Sequence, residues 1–248
     1  MPPPQKSELA YTAIKQAIIE KALVPGTKLP EDTLGTHFGM SRTLIRAALA
    51  RLAAEGLVES QHNRGATVAQ PSLEEARHVF EVRRCLESEV VRLAIERWRP
   101  TSTQALEAHV RQEEHAARQG QLAASARLAG EFHVALAELA ANPLLTRCVS
   151  EVVSRCSLIL AVHGQPHSSE CAVAEHRGLI EALRSGDGKT ARRLMASHLA
   201  GIEARTLPGG AAPAETDLGS ILGRYLTTAQ AADRNGAGRA KARARKSG

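Results

Sequence analysis

The stretch from Pro30 to Val68 constrains this chain more than any other, because it reads as helix, tight turn, helix and short hairpin in immediate succession. The second helix, Ser41 to Glu55, divides into two faces at about 100° per residue. Leu44, Ile45, Ala48, Leu49 and Leu52 share one side; Arg42, Thr43, Arg46, Ala47 and Ala50 share the other. The second face is small and basic, with nothing bulky enough to hold DNA away. Such a helix can lie in a major groove with its N-terminal side chains near base edges and phosphates. Leu57-Val58-Glu59-Ser60 and Ala66-Thr67-Val68, joined through Gln61-His62-Asn63-Arg64-Gly65, supply the hairpin. The pattern predicts a winged helix-turn-helix.

The flanking punctuation agrees. A first helix is expected from about Ser7 to Leu23, stopped by Val24-Pro25-Gly26, since proline cannot continue a helix and Pro-Gly favours a turn. A second starts near Glu31, buries Leu34 and Phe38, and ends at Gly39. Ser41 is placed to cap the next helix, Gly56 to end it, and Gly65 to permit the tight wing turn.

The segment Leu23-Val24-Pro25-Gly26-Thr27-Lys28-Leu29-Pro30-Glu31, then Ser41-Arg42-Thr43, Arg46, Ala48-Leu49, Leu52, Glu55-Gly56-Leu57-Val58 and Arg64-Gly65-Ala66, resembles the GntR family DNA-binding domain. The resemblance covers nearly all of residues 9–69. It implies that Ser41, Arg42, Thr43 and Arg46 meet phosphates and bases of a double-stranded DNA operator, and that Arg64 and Gly65 at the wing tip enter the minor groove. Asp32 stands where some relatives carry a basic DNA-contacting residue. The bland alternative is that Arg42 and Arg46 merely solvate a surface helix.

At 248 residues the chain has room for one small and one larger domain. Hydrophobic residues make up 43% but aromatics only 2%, so the cores must be aliphatic and rich in alanine, which favours packed helices over sheets. The net charge of +6 is concentrated at the two ends of the chain, as suits a dimer that touches few phosphates per subunit. No apolar run approaches the roughly 20 residues of a membrane span, and Met1-Pro2-Pro3-Pro4 offers no apolar signal core. The expectation is a cytoplasmic protein with no membrane partner, its Cys85, Cys148, Cys156 and Cys171 reduced.

The expected organisation is mostly α: a winged helix-turn-helix over 1–70, an all-α helical bundle over 73–207, and a tail over 208–248 that is partly disordered and basic. After the linker Ala69-Gln70-Pro71-Ser72, six helices are predicted near 73–99, 101–119, 122–141, 144–163, 171–184 and 189–207, with no strand signal. Arg83 lies inside the apolar stripe of Val79, Leu86, Val90, Leu93 and Ala94. A buried, unpaired guanidinium is very costly, so Arg83 needs an anion. That anion is either an internal acid, Glu87 or Glu131, or a bound carboxylate held bidentately.

Three histidines sit on apolar faces of three different helices: His133 among Leu136, Ala137 and Ala140, His176 among Leu179, Ile180 and Leu183, His198 among Leu194, Met195 and Ile202. One inward histidine is ordinarily a hydrogen-bonded core residue. Three in one bundle point to a bound divalent ion, because neutral imidazoles converging on one point are how a protein holds Zn²⁺ and similar metals. With Arg83 beside it, such an ion suits a small carboxylate. The neighbouring acids Glu113 and Glu114 read as a solvated face, His163 and His167 as exposed loop histidines, and Cys156 and Cys171 carry no signal of a depressed pKa.

The segments Phe80-Glu81-Val82-Arg83 with Glu87, Glu131-Phe132-His133 with Asn142-Pro143-Leu144, Glu175-His176-Arg177 with Ile180-Glu181-Ala182-Leu183 and Gly186-Asp187, and Leu194-Met195 with His198-Leu199 resemble the FCD effector-binding domain of FadR-type GntR regulators, over about residues 73–206. The resemblance implies that Arg83 meets the effector and that His133, His176 and His198 bind a metal with an aspartate one turn before the first histidine. That position is Ala129 here. Three outcomes follow: a three-histidine site for zinc, nickel or manganese completed by water or ligand, recruitment of another group such as Cys171, or a metal-free pocket.

The function expected is a ligand-responsive transcription regulator, a repressor that binds a palindromic operator as a homodimer and answers to a small carboxylate. A constitutive DNA-binding protein with a degenerate pocket is the competing reading. A metal-dependent enzyme is the remote one, with no general acid or base evident beside the histidines. In the tail, Leu218, Ile221, Leu222 and Tyr225 suggest one short amphipathic helix, and the run from Arg234 reads as disordered and basic.

Overall fold

The structure is a computed structural model and describes residues 6–61, 65–164, 169–206 and 223. Wing-tip Arg64, loop residue His167 and, apart from Gly223, the tail features expected from Leu218 onward lie outside the described residues. The chain divides into two compact units, with the boundary between Ala69 and Gln70.

The first unit runs α1 (Lys6–Ile19), β1 (Lys28–Leu29), α2 (Glu31–Phe38), α3 (Arg42–Ala54), β2 (Val58–Gln61) and β3 (Gly65–Val68). It is a winged helix-turn-helix. The three strands form an antiparallel sheet in the order β1-β3-β2, with Val58 opposite Val68 and Gln61 opposite Gly65. Helix α3 buries Ile45, Ala48, Leu49 and Leu52 and exposes Arg42, Thr43, Arg46, Ala47 and Ala50. Burying each of the larger aliphatic side chains is worth about 1.5–3 kcal/mol, so the apolar face fixes which face of α3 looks outward. Polar contacts pin the same helix to α1. Glu55 accepts hydrogen bonds from Tyr11 Oη and, at 2.7 Å, from Lys15 Nζ, and the Arg51 guanidinium lies 3.8 Å from the Tyr11 ring centroid.

Two local expectations change. Helix α1 ends at Ile19, earlier than Leu23. Lys21 takes a left-handed conformation, and the amides of Ala22 and Leu23 both donate to Ala17 O at 2.9 Å, turning the chain so that Leu23 is buried. Ser41 occupies the N-cap position of α3, where its carbonyl takes the Leu44 and Ile45 amides, but its side chain makes no capping bond. The turn into α3 does follow the glycine signal: Gly39 is left-handed (φ 61°) and its amide closes α2.

The second unit holds six helices among the described residues: α4 (Leu73–Glu96), α5 (Pro100–Arg118), α6 (Leu122–Leu139), α7 (Pro143–His163), α8 (Ser169–Arg184) and α9 (Gly188–Ala204). Caps set several of their starts. Ser72, Asn142 and Asp187 accept from the amides of Glu75, Leu145 and Thr190, and Pro100 and Pro143 sit at the first helical positions, where a missing N–H costs nothing. Helix α4 packs on α6, α7 and α9, α5 on α6 and α8, and α8 on α9. The core between them is aliphatic, built around Phe132, Leu136, Val90, Leu106, Leu183 and Leu199. No described helix is long and apolar enough to cross a membrane.

Candidate effector centre and DNA-binding surface

The bundle core carries polar groups that an aliphatic interior tolerates only if each is satisfied. Arg83 and Glu87 come from α4, Glu113 from α5, His133 from α6, Cys156 from α7, His176 from α8 and His198 from α9, and all are buried. The imidazoles approach edge-on and stacked: ring centroids are 5.1 Å apart for His133 and His198, 4.9 Å for His176 and His198, and 5.5 Å for His133 and His176. Phe132 stacks on His176 at 4.0 Å and sets the plane of that ring.

Each histidine is anchored through Nδ1 by a carboxylate. His133 Nδ1 lies 2.5 Å from Glu87 Oε2, His176 Nδ1 2.9 Å from Glu113 Oε2, and His198 Nδ1 2.5 Å from Glu175 Oε2. A carboxylate accepting from Nδ1–H fixes the tautomer that leaves a lone pair on Nε2. The three Nε2 side edges then meet. His133 Nε2 and His198 Nε2 are 3.2 Å apart, His176 Nε2 is buried without a partner, and one ligand atom from each histidine falls within 4.8 Å of the others. The 3.2 Å separation suits an N–H···N hydrogen bond when one ring carries the proton, and equally suits two lone pairs turned to one cation. Two nitrogens, each about 2.1 Å from one ion, stand roughly 2.9–3.4 Å apart. The residues present therefore fit a divalent metal.

No fourth protein donor joins the group among the described residues. Ala129 is half-buried on α6, and Cys171, the recruit considered from sequence, is exposed and outside the cluster.

Arg83 does make an internal salt bridge, and to Glu87: Nε to Oε1 is 2.5 Å. Glu131 instead pairs with Arg127 on the bundle surface. Glu87 thus bridges Arg83 and His133 through its two oxygens. Arg83 Nη1 lies 3.2 Å from Cys156 Sγ, while Nη2 is buried with no partner. Glu113, expected on a solvated face, is wholly buried; it is in helical phase with buried Leu106 and Val110, whereas Glu114 faces outward to Arg118 and Arg177. His163 is half-buried, its Nε2 2.8 Å from Pro71 O.

Burial and the neighbouring charges together set the protonation of these groups. Burial would raise the Glu87 carboxyl, but Arg83 and His133 outweigh it and hold Glu87 down to about 2. Burial would lower the Arg83 guanidinium, yet Glu87 and Cys156 keep it above its ordinary value. His133 is pushed down to about 3 and His176 well below its ordinary range, both chiefly by burial, so both imidazoles are neutral at physiological pH. Burial raises Glu113 to about 7 and also raises the Cys156 thiol, which keeps that sulfur unreactive.

These shifts predict the acid sensitivity of the metal-free protein. Stability held by neutral His133 and His176 is present above their unfolded value of 6.5 and is lost as pH falls toward their folded values, about 3 for His133. The Glu87 contribution is present above 4.5 and is lost as pH falls toward 2. Glu113 opposes the histidines, because its burial costs stability as pH rises from 4.5 to 7. Melting temperatures in chelator should therefore fall gently from pH 6.5 to 4.5 and steeply below. A flat profile down to pH 4 contradicts the assignment.

On the first unit, Ser41, Arg42, Thr43 and Arg46 are all exposed along one edge of α3. Gly65 opens β3 in a left-handed conformation (φ 83°), which a residue without a Cβ adopts without strain. The two arginines are not free in the structure. Arg46 is held bidentately by Glu31, through Nε at 3.0 Å and Nη2 at 2.8 Å, and Arg42 Nε pairs with Asp32.

A DNA-binding winged helix joined to a helical bundle with a buried histidine cluster defines a class of bacterial regulator. The profile of the gntR family of bacterial regulatory proteins matches residues 6–68, and that of the FCD domain matches residues 78–201. The chain belongs to the GntR family of transcription regulators, with an FCD domain as its second part, and is not an enzyme. It is 27% identical over 201 residues to the HTH-type transcriptional regulator YdfH of Escherichia coli, covering 80% of this chain and 87% of that one. It is 27% identical over 192 residues to the HTH-type transcriptional repressor RspR of Escherichia coli K12, covering 76% and 83%. The fold resembles that of Escherichia coli McbR/YncC, with a TM-score of 0.74 at 21% identity over 82% of this chain and 97% of that one.

Proposed function

We propose that this regulator is a cytoplasmic repressor that binds a palindromic operator as a homodimer and is controlled by a small carboxylate bound in the bundle. The observation that carries the reading is the cluster of His133, His176 and His198, each ring fixed through Nδ1 by its own glutamate and presenting Nε2 to a common point. These three Nε2 atoms would hold zinc, nickel or manganese, and the bound ion would supply open coordination positions for an oxygen ligand. With Ala129 in place of an acid, the protein leaves one more position to that ligand. Arg83 Nη2, buried and unpartnered, supports an anionic effector, since an incoming carboxylate satisfies it. Glu87 holds both Arg83 and His133, so anion and ion would be read by one connected set of side chains.

On the DNA side, Ser41, Arg42, Thr43 and Arg46 would meet the major groove, and Arg64 with Gly65 the minor groove. RspR, named a repressor, supports the direction of control. The test is a screen of small carboxylates on metal-loaded protein, read both by melting temperature and by affinity for the chain's own upstream DNA. The reading expects at least one compound to move both together, because ligand and operator affinities are linked. A protein whose operator affinity answers to none of them, while still binding DNA, is the constitutive alternative.

A further inference from the structure

Both arginines on the outward face of α3 are engaged by acids from the first turn of α2, and the stronger of the two engagements leaves a specific part of the guanidinium open. Glu31 takes Nε and Nη2 of Arg46, the side edge of the planar group. The end edge, formed by Nη1 and the other proton of Nη2, is not engaged by Glu31. That end edge is the one that can donate two parallel hydrogen bonds to O6 and N7 of guanine. We propose that Glu31 is a positioning residue for sequence recognition: it orients Arg46 so that the guanidinium reads guanine end-on and is withheld from backbone phosphate. The inference rests on the assignment of α3 as the recognition helix.

The physical case lies in what a loose arginine would do. An exposed, flexible guanidinium binds any phosphate it reaches, which adds affinity for all DNA and no sequence information. Arg46 and Glu31 have side chains 70% and 28% exposed, and exposed ion pairs add little to stability, so holding the fold together is a poor account of this pair. A phosphate can also reach the open end edge, but its attraction rests largely on the guanidinium charge, which the seated Glu31 carboxylate already offsets. A guanine edge approaching end-on need not displace it, and the pairing has already restricted the side-chain rotamers that binding would otherwise have to freeze. Arg46 also holds the Glu31 carboxyl below its ordinary range, so the acid is ionised at neutral pH. Asp32 acts on Arg42 in the same sense. Arg42 is the first residue of α3, where a cation opposes the helix dipole, and Asp32 offsets that charge.

The experiment selects duplexes from a randomised pool with the full-length protein. It then measures affinities for the selected duplex and for a random one, as a function of salt, for wild type, Glu31→Ala, Glu31→Gln, Glu31→Asp, Arg46→Ala and the double variant Glu31→Ala/Arg46→Ala. Losing Glu31 is expected to strengthen binding to random DNA several-fold, with a salt slope steeper by about 0.9 for the added phosphate contact. It is also expected to weaken binding to the selected duplex, so that discrimination falls about tenfold. Glu31→Asp should restore much of that ratio and Glu31→Gln little, and on the Arg46→Ala background the loss of Glu31 should leave the ratio unchanged. A variant that merely misfolds loses both affinities and is recognised by its melting curve; Glu31→Gln, which keeps the side chain's size, then decides. An unchanged ratio in folded variants, or the same loss without Arg46, overturns the proposal. If the wild type itself enriches no sequence, the recognition-helix assignment fails first.

Discussion

Replacing Glu87 with alanine is expected to destabilise the bundle by about 3–5 kcal/mol, the range for breaking a buried ion pair by removing one partner. Glu87 is 1% exposed and its two oxygens serve Arg83 and His133 at 2.5 Å each. Its loss leaves a buried guanidinium with only Cys156 as a partner, and an imidazole with no acceptor for Nδ1. Glu87→Gln keeps an oxygen for one of the two but removes the charge, and should cost less. Urea denaturation followed by helical signal measures both. The same substitutions should lower metal affinity about 10–100-fold, because the ring of His133 is no longer oriented or polarised. A loss under about 1 kcal/mol for alanine would mean that water or a neighbouring group takes over the role of Glu87.

Arg46→Ala is expected to reduce affinity for the selected operator by about 10- to 100-fold, the discrimination typical of one bidentate base contact, while leaving the melting curve of the bundle unchanged. The Arg46 side chain is 70% exposed, so its removal takes little from the core and a fall in binding is not confounded by unfolding. Fluorescence anisotropy with labelled duplex reads the affinity. Retained affinity and retained discrimination would show that α3 presents a different face to DNA.

Much of this was visible in the chain because helical periodicity exposes what breaks it. The two faces of α3 separate at 100° per residue, and Arg83, His133, His176 and His198 announce themselves as polar groups in apolar stripes. Glu113 carries the same signal, in phase with Leu106 and Val110, but its neighbour Glu114 made the pair resemble a solvated edge. Glu175 offered no such signal: its side chain is 42% exposed and reaches back to His198 from the rim. The pairing of Glu31 with Arg46 crosses 15 positions and a turn, a relation no single-helix period encodes. Strand β1 escaped because two residues are too few for any alternation, and it exists only through its pairing with β3. Three carboxylates on three imidazoles are likewise a product of tertiary packing. The sequence shows inward histidines; only the packed helices show that each has its own acceptor.

If His133, His176 and His198 form a working metal centre despite Ala129, the bound ion should depend on His198. Elemental mass spectrometry on untagged protein, prepared without chelator, tests this most directly when wild type is compared with His198→Ala. The expected result is about one zinc, nickel or manganese ion per wild-type chain and none in the variant. No metal in either protein, or equal metal in both, would contradict it.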